Sequence, residues 1–128
     1  MFLLRGNHEI RTINSSFTFS NELNAKLGPK HGPEMWERFN QVFDYMPICA
    51  VIDESIFCAH GGIPHSATSL SELTKIATPL NEPERLSPAA HEMLWNDPIT
   101  DKDHSEYEYF LIYQVTNLIH VFQEFGIN

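Results

Sequence analysis

Two short apolar runs in this chain each break off at glycine beside side chains able to bind a metal ion. Phe2-Leu3-Leu4 passes into Arg5-Gly6-Asn7-His8-Glu9, and Ile56-Phe57-Cys58-Ala59 passes into His60-Gly61-Gly62-Ile63. Continuous apolar runs of this length read as buried strands, and glycine lets the backbone turn sharply and come close to a phosphate or an ion. In α/β proteins reactive groups collect where strands end. The repeated design therefore predicts a metal site where the two runs stop.

Between and after these runs the pattern alternates helices with loops. Phe2 to Leu4 reads as a buried strand with Arg5 to Glu9 as the loop leaving it. From Ser15 to Leu27, Phe19, Leu23 and Leu27 recur four apart, which predicts an amphipathic helix stopped by Gly28-Pro29. A second helix follows, with Met35, Trp36, Phe39, Val42, Phe43 and Met46 on one face; Glu34, Glu37, Arg38 and Gln41 lie elsewhere, and Pro47 ends it. Ser69 to Ile76 predicts a short helix with Ser69 and Glu72 as a capping box. Thr78 to Pro88, with three prolines, reads as a surface loop. Ala89 to Leu94 predicts a short helix closing on Trp95-Asn96-Asp97-Pro98, Thr100 to Glu108 a polar loop, and Gln114 to Phe125 a last helix with Gly126 just past its end.

Ile48 to Ile52 and Ser55 to Ala59 are the two halves of a predicted hairpin. Their lack of polar alternation predicts a sheet covered on both faces. With the turn centred on Asp53-Glu54, positions adding to 107 face each other, so Cys49 opposes Cys58 and a disulfide is geometrically conceivable. Against it stands the reducing compartment expected for a chain with no secretion signal, where free cysteine is a common core residue.

Composition narrows the partners. Apolar residues make up 42% and charged residues 20% of 128, with no run near the ~20 apolar residues that span a bilayer, which predicts a globular chain with no membrane partner. The start shows no basic n-region, small-residue cleavage site or acid-poor leader, so cytoplasm or nucleus is the expected location. A net charge of −9 disfavours nucleic acid, whose binding depends on a basic face. Acidic phosphorylated substrates would have to be drawn by local metal charge and arginines instead.

Asn7 offers a carbonyl oxygen and His60 an imidazole nitrogen, both ordinary ligands for borderline divalent ions. His8, beside Asn7 on the same loop, is placed to project next to the metal, where a protonated imidazole can donate to a leaving alkoxide. The LRGNHE block of Leu4 to Glu9 and the later His60-Gly61-Gly62 together resemble the phosphoprotein phosphatase family of serine/threonine phosphatases, within the calcineurin-like metallophosphoesterase superfamily. The likeness continues through Trp36-Glu37, Phe39, Phe43, Met46-Pro47, Ile52-Asp53 and Leu94-Trp95-Asn96-Asp97-Pro98, covering Met1 to about Ile99.

The resemblance implies an α/β fold, part of a metallophosphoesterase-type β-sandwich flanked by helices, with residues 1–128 forming one partial domain. It implies two divalent ions (Mn, Fe or Zn) that polarise the phosphate, a water that attacks phosphorus in line, and a histidine that protonates the departing serine or threonine oxygen. Matched residue for residue, Asn7 and His60 bind one metal and His8 is the acid. Arg5 is expected to brace the loop, Glu9 to support or cap it, and Asp97 to orient a neighbour near the catalytic mouth. His31, His65, His91, His104 and His120 match no ligand position and read as surface or packing residues. Implied partners are phosphoprotein substrates and regulatory subunits.

The family's aspartate-histidine and aspartate blocks precede LRGNHE, and a further ligand histidine follows a segment like Phe125-Gly126-Ile127-Asn128, so these lie outside Met1–Asn128. His104 to Tyr109 contains no arginine to hold phosphate. Asn7 and His60, both neutral, are therefore expected to bind an ion weakly unless the complete domain is present. The alternative reading is a decayed, non-catalytic phosphatase or interaction module that offers an open sheet edge to a partner. A binuclear phosphodiesterase, which uses a similar GNH loop, is disfavoured by Glu9 and the flanking family-like stretches.

Overall fold

The computed structural model describes residues 2–53 and 55–97. The expected loop at 100–108 and helix at 114–125, with His104 and His120, lie outside the described residues. A single 3-10 turn, Asn7–Glu9, leads into α1 (Arg11–Ser16) and the long α2 (Phe19–Tyr45). The hairpin β1 (Cys49–Ile52) and β2 (Ile56–Ala59) follows, and then three short helices, α3 (Leu70–Leu73), α4 (Pro83–Leu86) and α5 (Pro88–Trp95). The described part is thus mixed, several helices around one small antiparallel sheet.

The helix expected at 15–27 is divided. Ser16 turns its hydroxyl onto the Thr12 carbonyl, and Thr18 sits in the left-handed region at φ 74°, which ends α1 and redirects the chain before Phe19. Gly28 interrupts α2 at φ 79°, ψ 168°, where the expected stop lies. Pro29 then takes the first position after the break, where a missing N–H is harmless, and the helix resumes to Tyr45.

The apolar face expected for the second half of α2 is not its buried face. Val42 is 62% exposed and Phe39 40%, whereas Asn40 and Asp44 are buried. Polar groups explain the inversion. Asn14 of α1 donates to the Asn40 carbonyl oxygen at 2.7 Å and accepts from the Trp36 indole at 2.6 Å, while Asn40 donates to the Trp36 backbone at 2.9 Å. A fully satisfied amide pair can be buried where an unpaired one could not.

Phe2 to Leu4 is not a buried strand; Phe2 is 99% exposed and Leu3 60%. A strand requires hydrogen-bonded neighbours, and this run meets the hairpin at its end, where Arg5 N donates to the Pro47 carbonyl at 2.9 Å. The hairpin itself forms, with Cys49 paired to Ala59 and Ala50 to Cys58, so facing positions add to 108. The one-residue difference from the expected register turns the two cysteines to opposite faces and removes the conceivable disulfide; both are free thiols. Asp53, at φ 50°, takes the left-handed position that Asp tolerates and sets this turn. Nor is the sheet covered throughout: Val51, Ile52 and Ile56 near its tip are exposed, away from the core, which packs on the hairpin base.

The apolar core lies where the hairpin base meets α3 and α5. Ile10, Ile48, Leu73, Leu80, Ala90, Met93 and Leu94 are buried together, with Cys49, Phe57 and Ile63 packed against them. Burial pushes the Cys49 thiol up, as suits a cysteine serving as a core residue. Leu80 and Pro83 are buried although they fall in the expected surface loop, and residues 83–86 are helical. The box expected at Ser69 is replaced by a neighbouring arrangement in which Glu72 accepts from Thr68 N at 2.7 Å. No described helix is long and apolar enough to cross a membrane.

Candidate metal and phosphate site

Two loops meet at the end of the hairpin. The first leaves Arg5, and Gly6 makes its close approach possible: a Cβ there would stand 2.7 Å from Glu9 Oε2 and 3.1 Å from His60 Nδ1. Glu9 folds back so that its carboxylate accepts from Gly6 N at 2.9 Å, closing the 3-10 turn. The second loop leaves β2 at Ala59. Gly61 N donates to the Met93 carbonyl at 2.7 Å, and Asn96 Nδ2 donates to the Ile63 carbonyl at 3.1 Å, so the His60-Gly61-Gly62 segment is fastened to the end of α5.

The result brings Asn7 and His60, 53 positions apart, to 3.1 Å between Oδ1 and Nε2. Two donors that sit ~2.1 Å from one ion at right angles stand about 3 Å apart, so the pair fits adjacent coordination positions. Among the described residues no group of three or more His, Cys, Asp or Glu forms a metal cage. His8 is exposed and turns elsewhere, its ring edge-on to Phe17 at 4.9 Å and 73°. Asp97 is exposed. His31, His65 and His91 are exposed as well, His91 lying 6.3 Å from the Trp95 ring.

Arg5 points inward and is fully buried. Its Nε and Nη2 donate to the Glu9 carbonyl at 3.1 and 2.9 Å, its Nη1 donates to the Leu80 carbonyl, and Nη2 lies 3.5 Å from Asp44 Oδ1. Burial lowers its guanidinium below the ordinary value, and the Asp44 charge is foremost among those opposing the shift. Arg11, which bonds Glu37 and Asp44, is raised, chiefly by the Glu37 hydrogen bond.

Sequence reading missed two groups at this site. Asp44 sits on a face judged by its aromatic neighbours, and Asn96 was overshadowed by the acid beside it. The sequence signal for Asn96 is its place directly after a helical run and before Asp-Pro, where an amide can anchor a neighbouring loop.

Residues 1–122 match the sequence model of the calcineurin-like phosphoesterase family. The chain belongs to the calcineurin-like phosphoesterase family. Within it, the chain is similar to a protein phosphatase 2A catalytic subunit of Dictyostelium discoideum, 39% identical over 101 residues. That alignment takes in 79% of this chain and 31% of the relative, so the phosphoesterase sequence seen here spans about a third of the curated protein it matches.

The fit at Gly61 gives a direct test of how firmly this phosphoesterase loop is fastened. Gly61→Ala would place a methyl group 2.9 Å from both Asn96 O and Trp95 N, backbone atoms that cannot rotate away. The expected outcome is a loss of about 1–3 kcal/mol in a urea titration, the scale of overpacking. An unchanged midpoint would mean that the loop is not held against α5.

Proposed function

We propose that this chain supplies one side of the active site of a metal-dependent protein serine/threonine phosphatase, which hydrolyses phosphoserine and phosphothreonine in proteins. Asn7 Oδ1 and His60 Nε2 hold one divalent ion, Mn, Fe or Zn; a second ion belongs to the complete domain. When bound, the ions offset the charge of the phosphate and activate water at neutral pH. His8 carries a proton at its exposed imidazole to the departing serine or threonine oxygen. Arg5 and Glu9 hold the turn beneath these groups, and Asp97 orients a neighbour at the mouth. Phosphoproteins are the substrates, regulatory subunits the partners, and cytoplasm or nucleus the location.

The observation that carries this reading is the 3.1 Å approach of Asn7 to His60 in a chain of this family. A second reading, a non-catalytic interaction module, draws on the exposed apolar residues of α2 and the hairpin tip. Phosphate release from a phosphoserine peptide separates the two. The full-length protein supplied with Mn²⁺ should release phosphate, stop on chelation and recover when Mn²⁺ is restored. A folded protein that binds Mn²⁺ and releases none would leave the module as the better account.

A further inference from the structure

We propose that Asp44 is a positioning residue for the turn that carries Asn7 and His8, acting through Arg5; the role in catalysis rests on the function proposed above. Arg5 immediately precedes the turn, and two of its nitrogens converge on the carbonyl of Glu9, the turn's last residue. The Glu9 carboxylate fixes the other end through Gly6 N. With both ends held, Asn7 and His8 keep their places only while the guanidinium keeps its own.

Asp44 is what keeps it there. The carboxylate, buried in the last turn of α2, sets Oδ1 3.5 Å from Arg5 Nη2 and gives Oδ2 to Arg11 at 2.8 Å. Asp44 Oδ1 has no hydrogen-bond partner among the described residues, so it acts on Arg5 through charge. The Asp44 backbone contributes too: its carbonyl accepts from Leu80 N at 2.8 Å, and the Leu80 carbonyl accepts from Arg5 Nη1. Asp44, Leu80 and Arg5 thus close a ring beneath the turn. Glu84 and Glu9 also favour the Arg5 charge, and Arg11 opposes it.

An uncompensated guanidinium is strongly disfavoured in a buried site. Without the Asp44 charge, Arg5 is expected to swing toward Glu84 or toward solvent, and either movement releases the Glu9 carbonyl. Asp44 shares no hydrogen bond or ion pair with Asn7 or His60, so its effect reaches the site through the turn.

Asp44→Asn keeps shape and removes charge. In the full-length protein it is expected to weaken Mn²⁺ affinity, read by electron paramagnetic resonance, by about 10- to 100-fold, the range for residues that support metal ligands. In metal-free protein it should also remove the nuclear Overhauser contact between the Asn7 side-chain amide and the His60 ring. Glu37→Gln, which disturbs Arg11 on its exposed side, should leave both readings unchanged. If Asp44→Asn does not fold, Arg5→Lys decides, because a single ammonium cannot reach Asp44, the Leu80 carbonyl and the Glu9 carbonyl together and both readings should fall. A folded Asp44→Asn protein that keeps wild-type affinity and contact overturns the proposal, as does an unaltered Arg5→Lys protein where Asp44→Asn cannot fold. Should the wild-type protein take no Mn²⁺, the proposed function fails while the Overhauser contact still judges Asp44.

Discussion

Exchange of His60 for alanine is expected to remove divalent-metal binding and phosphate release together while leaving the fold in place. The imidazole is one of the two donors that stand 3.1 Å apart, and its loss leaves a single neutral amide oxygen. Residues that merely support ligands contribute about 10- to 100-fold to affinity, so losing a ligand should exceed that range. The fold does not depend on this ring. His60 is exposed, and its loop is fastened by Gly61 N to Met93 and by Asn96 to Ile63, none of which involves the imidazole. Urea stability should therefore stay within about 0.5 kcal/mol, as for an ordinary surface substitution. Mn²⁺ binding followed by paramagnetic resonance checks the first claim and a urea titration the second. A His60→Ala protein that binds Mn²⁺ as tightly as its parent would remove His60 from the site.

The convergence of residues 7 and 60 was legible because its signal is local. Each loop announces itself by an apolar run, a glycine and a donor, and the glycines have steric duties that no larger residue could meet: Gly6 against Glu9 and His60, Gly61 against the end of α5. Helix ends were legible for the same reason, since Gly28 and Pro47 act on the backbone of their own neighbours.

What was not legible depends on partners distant in sequence. The buried side of α2 was judged by its aromatic stripe, yet Asn40 goes inside against Asn14 and Asp44 goes inside against the charges of Arg5 and Arg11, leaving Val42 and Phe39 outside. Nothing within α2 alone encodes that choice, because it requires Asn14 and Arg5 to arrive from another segment. The hairpin register failed by one residue for a different reason. Apolar side chains on both faces of β1 and β2 carry no alternation to fix the pairing, so the turn at Asp53 sets it. The buried Leu80 is a similar case, drawn inside by Arg5 and Asp44 in spite of its proline-rich surroundings.

His8→Asn is expected to separate chemistry from metal binding. In a 3-10 turn successive side chains point about 120° apart, so Asn7 and His8 do not compete for one ligand position. Asn7 meets His60, while His8 lies edge-on to the exposed Phe17 ring. Removing the imidazole from position 8 therefore leaves the 3.1 Å donor pair untouched, and Mn²⁺ affinity should match the parent protein. Phosphate release should nevertheless slow by about 10²-fold or more, the scale on which a positioned general acid contributes. The loss should shrink for a substrate whose departing oxygen needs no proton: p-nitrophenyl phosphate, with its acidic phenol, should be cleaved by His8→Asn more nearly at the parent rate than a phosphoserine peptide. That contrast distinguishes a proton donor from a residue that only shapes the loop, since a distorted loop would slow both substrates alike. Equal slowing, or loss of Mn²⁺ from His8→Asn to the extent seen in His60→Ala, would contradict this division of roles.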